Sequence, residues 1–138
     1  MFVLDTDTLT HLLLGHKRVT EKRAQVTDEV VLTLITRIEI LQGRFASVVK
    51  AEDGKKLLVA QQRLLDTEED LKEFIVLAID DAASAEFDRL RLQKKLRKIG
   101  RRDLLIAAIT LANGARLVTC NQKDFLNVPG LKLENWAV

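Results

Sequence analysis

Six short polar residues hold the chemistry this chain of 138 residues can offer: Asp5, Asp7, Glu39, Asp103, Asn121 and Asp124. Five of them are acids. Carboxylates brought within a few ångströms of one another raise each other's pKa, often by about 1–3 units, unless a cation holds them. Hard divalent cations take such all-oxygen sites, and Mg²⁺ keeps several waters as well. A cation held there orients a water, lowers its pKa and stabilises charge on a phosphodiester, and a pair does so on both sides of the phosphorus. These residue types therefore suit phosphoryl chemistry without a protein nucleophile. Each acid also has a purely structural use. Asp5 and Asp7 can cap a helix. Asp103 at a helix start gains about 0.3–1 kcal/mol from the helix dipole, and Asp124 can form a turn. Only their co-location at strand ends would carry a function.

The elements that must bring them together are legible as alternating strands and helices. Phe2-Val3-Leu4 is a buried-strand run that stops at Asp5, and Thr8–Leu14 reads as a helix stopped by Gly15. Lys17–Val26 reads as a charged helix and Val30–Ile35 as a second, β-branched strand. Helices follow over Arg37–Val49 and Lys55–Leu65, each with apolar residues at three- and four-residue spacing. The acidic cluster Asp66, Glu68, Glu69, Asp70 then reads as a turn. Phe74–Ile79 is a third strand, and Asp80-Asp81 open a long helix running to about Gly100. Asp103–Ala112 is a further helix stopped by Asn113-Gly114, followed by strands at Arg116–Thr119 and Leu131–Leu133. This alternation predicts one α/β domain over residues 1–138, with a parallel sheet covered on both faces. In such sheets the functional crevice lies at the carboxyl ends of the strands. Asp5 and Asp7 follow the first strand and Glu39 falls in the first turn after the second. Asp103 leads into the fourth strand, and Asn121 and Asp124 leave it.

Composition narrows the setting. A net charge of +2 argues for no particular partner, and the single cysteine, Cys120, excludes an intramolecular disulfide framework and fits a reducing compartment. Residues 1–10 carry Asp5 and Asp7 where a secretory leader needs a basic start and an apolar run. The stretch Leu104–Ala112 is far short of the ~18–20 apolar residues that span a bilayer. The expectation is a soluble, cytoplasmic protein with no membrane contact.

The motifs together resemble the PIN-domain nucleases, and within them the VapC-type toxins of bacterial toxin–antitoxin pairs. The resemblance rests on Phe-Val-Leu-Asp-Thr-Asp at 2–7, Thr36-Arg-Ile-Glu39 with Gly43 beyond it, and Asp103-Leu-Leu-Ile-Ala-Ala108. It extends to Leu117-Val-Thr-Cys-Asn-Gln-Lys-Asp-Phe125 followed by Pro129-Gly130-Leu131, so it covers essentially the whole chain. It implies a three-layer PIN-like fold with a central parallel sheet of four to five strands flanked by helices. It further implies an Mg²⁺- or Mn²⁺-dependent endoribonuclease in which Asp5, Glu39 and Asp103 are the metal-site acids. The fourth family position, an Asp in some members, holds Asn121 here, with Asp124 three residues later, so the fourth ligand lies between these two. Position 7, often Asn in the family, holds Asp7. PIN toxins commonly dimerise and receive an antitoxin segment along apolar helices, which implies a homodimer and a VapB-like antitoxin as partners. The apolar helices Arg37–Val49 and Lys55–Leu65 are the places for them, after core packing.

Two alternatives compete. Asp5-Thr-Asp-Thr8 after an apolar strand also matches the opening of haloacid-dehalogenase-like phosphatases, with Asp5 as nucleophile, but that reading leaves Asp103–Phe125 unexplained. Alternatively, a PIN domain lacking the fourth carboxylate serves as a weakly active or inactive RNA- or antitoxin-binding module. Around the acids, Thr6 and Thr119 are hydroxyls placed to orient them. The basic run from Arg89 to Arg102 reads first as a solvated helix face, with Arg101 and Arg102, next to Asp103, as RNA-phosphate contacts. No aromatic row accompanies it, so base stacking is not indicated. His11 and His16 read as surface or helix-end residues. Cys120 has no partner histidine motif, which argues against a nucleophilic thiol and against zinc.

Overall fold

The computed structural model describes residues 1–138 throughout. Five strands, β1 (Phe2–Leu4), β2 (Val30–Thr33), β3 (Val76–Leu77), β4 (Arg116–Val118) and β5 (Lys132–Glu134), form one sheet in the order β3-β2-β1-β4-β5. Every neighbouring pair is parallel. Seven helices lie between them: α1 (Thr6–Leu13), α2 (Lys17–Gln25), α3 (Leu34–Lys50), α4 (Gly54–Leu71), α5 (Asp81–Arg91), α6 (Arg101–Ala112) and α7 (Gln122–Phe125). This is the expected three-layer arrangement, with five strands realised.

Strand register explains why the short strands suffice. Val3 lies beside Val31 and Leu117, and Leu4 beside Leu32 and Val118. Because side chains alternate, the first row faces one helical layer and the second row the other. The Val3 row packs with Leu90, Leu104, Ala107, Ala108 and Phe125. The Leu4 row packs with Leu9, Val19, Ile40, Leu71 and Trp136. The next row along the three central strands is Asp5, Thr33 and Thr119, all buried and all polar. The apolar sheet thus ends in a polar rim at its carboxyl edge.

Several element boundaries move, each for a local reason. The second strand stops at Thr33 rather than Ile35, because the Thr33 hydroxyl accepts the Thr36 N–H (3.2 Å) and caps α3 there. Glu39 consequently lies in the second turn of that helix, not the first. The acidic cluster 66–70 is not a turn: α4 runs through it to Leu71, with Thr67 buried and holding Arg44 (3.0 Å). The third strand keeps only Val76–Leu77 of the expected Phe74–Ile79. The helix opened by Asp80 ends at Arg91, and a single 3₁₀ turn, Lys94–Leu96, carries the chain round to α6. Gly15 (φ +77°) and Gly114 (φ +59°) end their helices in the left-handed region that glycine adopts without strain. No helix is long and apolar enough to cross a membrane.

Candidate active site

Asp5 is placed by the sheet itself. Its N–H donates to the Val118 carbonyl (3.0 Å), extending the β1–β4 ladder by one residue, and its carboxylate caps α1 by accepting the Thr8 N–H (2.9 Å). The Thr8 hydroxyl donates to the same Val118 carbonyl (3.1 Å), tying the start of α1 to the end of β4. The side chain is only 6% exposed, and burial pushes its pKa above the usual Asp range. The Thr119 hydroxyl and the Thr8 N–H oppose that shift, while Asp7 adds to it. Burial wins, so an ionised Asp5 is short of compensating charge.

Asp103 arrives from the other side. It stands in the first turn of α6, a helix whose Leu104, Ile106, Ala107, Ala108 and Ile109 are all buried, so the core fixes its position. A helix start favours a carboxylate by at most about 1 kcal/mol. Here that is outweighed: burial first, then the charges of Glu39, Asp5, Asp124 and Asp7, raise the Asp103 pKa. Three separate chain segments, around Asp5 and Asp7, Glu39 and Asp124, therefore bring acids within electrostatic reach of Asp103.

Glu39 is held by side chains rather than backbone. The Thr6 oxygen lies 2.7 Å from Glu39 Oε1 and 3.2 Å from the Thr36 hydroxyl. Its one proton goes to the carboxylate, the shorter and charge-assisted partner. Arg102 reaches the other oxygen, Oε2, at 3.4 Å. Asn121 donates through its amide to Asp7 Oδ2 (3.1 Å), and its own N–H donates to the Thr119 hydroxyl (3.0 Å). The fourth position is thereby divided: Asn121 braces Asp7, whereas the charge of Asp124 is felt by Asp103. Arg101 lies over the Phe87 ring, 5.2 Å from its centroid, beside the site.

The donor set is all oxygen, largely anionic and partly desolvated, and in donor type and charge it fits a hard divalent cation. As the side chains stand, no three acids are gathered closely enough to share one ion. Asp5 is turned to its helix start and Glu39 to Thr6 and Arg102, which accounts for the opening.

Two contacts escape the motif reading, although the residues themselves are named in it. Thr36, fully buried, completes the hydroxyl pair that positions Glu39. In the sequence His11 reads as a surface or helix-end residue and Cys120 as lacking a partner histidine motif; His11 Nδ1 is 3.5 Å from Cys120 Sγ, a contact between residues 109 positions apart in sequence. The thiol remains a poor nucleophile, since burial pushes its pKa up and Asp5 and Asp7 add to the shift.

A family model for the PIN domain matches residues 2–131. The chain belongs to the PIN-domain family. With that match the phosphatase alternative falls, since a PIN domain accounts for the Asp103–Phe125 region that it left out. Among curated relatives, this PIN domain is 29% identical to Ribonuclease VapC2 of Rickettsia felis, covering 99% of this chain and 98% of that protein. It is 25% identical to the tRNA(fMet)-specific endonuclease VapC of Salmonella typhimurium over the same shares of each. Among solved structures, the VapBC-1 complex of nontypeable Haemophilus influenzae superposes with a TM-score of 0.81 at 26% identity, covering 99% of this chain and 98% of that one.

Proposed function

We propose that this PIN domain is a divalent-metal-dependent endoribonuclease, the toxin of a toxin–antitoxin pair, working as one unit over its whole length in the cytoplasm. One observation supports the reading above others: half-buried Asp103 sits in the combined field of Glu39, Asp5, Asp124 and Asp7, a charge arrangement that a bound cation would relieve. Asp5, Glu39 and Asp103 would hold that cation, Mg²⁺ or Mn²⁺, with Asp124, whose charge Asp103 feels, as the fourth acid in place of Asn121, which is bonded to Asp7. When bound, the ion supplies Lewis-acid stabilisation of charge on the phosphodiester and favours an ionised water as nucleophile. The protein's share is positional. Thr119 and the Thr8 N–H keep Asp5 aimed; Thr6 and Thr36 aim Glu39; Asn121 restrains Asp7.

The partner reading follows from the relatives crystallised as toxin–antitoxin complexes, among them DNA-bound VapBC of Salmonella typhimurium. On α3 and α4 the side chains of Phe45, Val49, Leu58 and Val59 are exposed. Such an apolar face suits an antitoxin segment or a second copy of the chain.

Incubating the purified chain with total RNA in Mg²⁺, Mn²⁺ or chelator, and mapping the cut ends, tests the proposal. Discrete cleavage in either metal and none in chelator is the expected result. Cleavage undiminished in chelator, or in Asp103→Asn, overturns the site. The rival binding-module reading, motivated by Asn121, requires equal RNA binding with and without metal and no cleavage at all.

A further inference from the structure

The basic run between α5 and α6 is not one surface. Arg89 and Arg91, on α5, are neutralised within their own helix by Glu86 (2.6 Å) and Asp88 (3.0 Å). Arg102 is engaged by Glu39 and Arg101 by the Phe87 ring. Lys95 and Lys98 are different. The helix ends at Arg91, and the 3₁₀ turn that replaces its last turns brings both lysines into the lining of a cavity of about 410 Å³. Lys123, on α7, lines the same cavity from the β4 side. All three are exposed, and none has an acidic partner within ion-pair distance. Asp103, half-buried, and Asp124, exposed, line the same cavity, and Asn127 adds an amide to its wall.

A groove lined by three free ammonium groups and two site carboxylates has a definite chemical preference. A mobile anion such as free phosphate would be repelled by Asp103 and Asp124. A polyanionic chain is not, provided that the phosphate being cut lies over the acids and a neighbouring one lies over the lysines. Ammonium groups hold phosphates as point charges, without reading bases. No aromatic side chain lines the cavity, so it offers no stacking platform.

We propose that the groove of Lys95, Lys98 and Lys123 is a phosphate track for single-stranded RNA, seating one or two backbone phosphates flanking the phosphodiester presented to Asp103. The groove rests on the ribonuclease reading for its substrate but not for its binding. It sets register along the chain, by backbone and without base preference. The break between α5 and α6 is what builds it: a continuous helix to Gly100 would leave the two lysines on a solvated face.

The test compares the triple variant K95Q/K98Q/K123Q with a control of equal charge change at exposed residues outside the groove, K17Q/R18Q/K132Q. Fluorescence anisotropy with a labelled single-stranded RNA is measured in chelator across a salt series, so that cleavage plays no part. Each backbone phosphate contact contributes about 0.7 to the slope of log K against log salt. The groove variant should therefore bind at least tenfold more weakly at moderate salt and lose about 0.7–1.4 units of slope, while the control stays within twofold with its slope unchanged. In metal, the groove variant should show a raised KM with kcat kept within about threefold, as expected for lost substrate positioning outside the chemical step. Equal affinity and equal slope in the two variants, or no RNA binding by the unaltered protein, overturns the proposal. If the unaltered protein binds RNA through the groove but cuts nothing in any metal, the ribonuclease reading fails and the groove stands.

Discussion

Asp5 and Glu39 reach the same edge of the sheet by opposite means. Asp5 is an extension of β1: its backbone is in the ladder, its carboxylate caps α1, and it is almost wholly buried. Glu39 stands a turn and a half into α3 and is held only by the Thr6 hydroxyl and the Arg102 guanidinium. The β1–β4 side of the site is made by the fold and arrives with it. The α3–α6 side is made by side-chain bonds that a cation or a phosphate can replace. Catalytic positioning usually needs the first kind of support, and adjustment to a ligand the second.

The largest effect should come from the fixed side. Asp5→Asn removes the one acid that the backbone aims, and metal-dependent RNA cleavage should fall by about 10³-fold, as for loss of a group stabilising developing charge. The fold should survive, because burial already disfavours the Asp5 charge. Melting in chelator checks this: the variant should melt at or above the temperature of the unaltered protein. A lower melting temperature would mean that the carboxylate cap is worth more than its desolvation costs.

Next come the two threonines, one on each side. Thr119→Val removes a fully buried hydroxyl that serves both Asp5 and the Asn121 N–H, so it should cost about 1–3 kcal/mol of stability. Activity should fall about 10–100-fold, as expected for a supporting partner of a metal ligand. Thr6→Val should lower activity by about tenfold. Its stability cost should stay near 1 kcal/mol, because Glu39 can turn to water. Denaturant unfolding and cleavage assays on both variants separate the sides. Equal stability losses would erase the distinction between them.

The same contrast explains what could be read from residue order. The strands, the alternation and the three main acids are local facts. An apolar run ending in Asp marks a strand end, and Asp103 before Leu104–Ile109 marks a helix start. Helix ends were less legible, because they depend on caps that compete with periodicity. Thr33 cuts the β2 run short, while nothing in the spacing of Asp66–Asp70 shows that the helix passes through it. The supporting layer was least legible of all. The Thr6–Thr36 hydroxyl pair beside Glu39, and His11 beside Cys120, are contacts between distant segments brought together by the fold. Asn121 is singled out from the sequence as the uncertain fourth position, and its bond to Asp7 is a tertiary fact.

Titration should separate the sides more gently. Asp5 and Asp103 both have pKa values raised in the folded protein, chiefly by burial. Each therefore binds its proton more tightly when folded. Metal-free stability falls as pH rises from the ordinary Asp value, about 3.9, through the raised folded values. Asp5→Asn and Asp103→Asn should each gain on the unaltered protein across that window and hold the gain above it. Saturating metal should reverse the sign, since a bound cation favours the ionised carboxylates. Urea unfolding at a series of pH values, with and without Mn²⁺, measures both. A gain confined to the acid side of the window would contradict the raised values.

The smallest effect belongs to Arg102→Gln. The ion pair with Glu39 is long and the guanidinium is 65% exposed, so its loss should change stability by less than about 1 kcal/mol. Its value as a probe lies in what Glu39 then does. A guanidinium at that carboxylate competes with a divalent cation for the same charge, and at about 4 Å in water a unit charge is worth about 1 kcal/mol. Removing it should therefore tighten the cation requirement: half-maximal cleavage should need up to about fivefold less Mn²⁺. The KM for RNA should rise over the same titration if Arg102 also meets phosphate. A looser cation requirement would show that Arg102 aims Glu39 rather than occupying it, and would move Glu39 to the rigid side of the comparison.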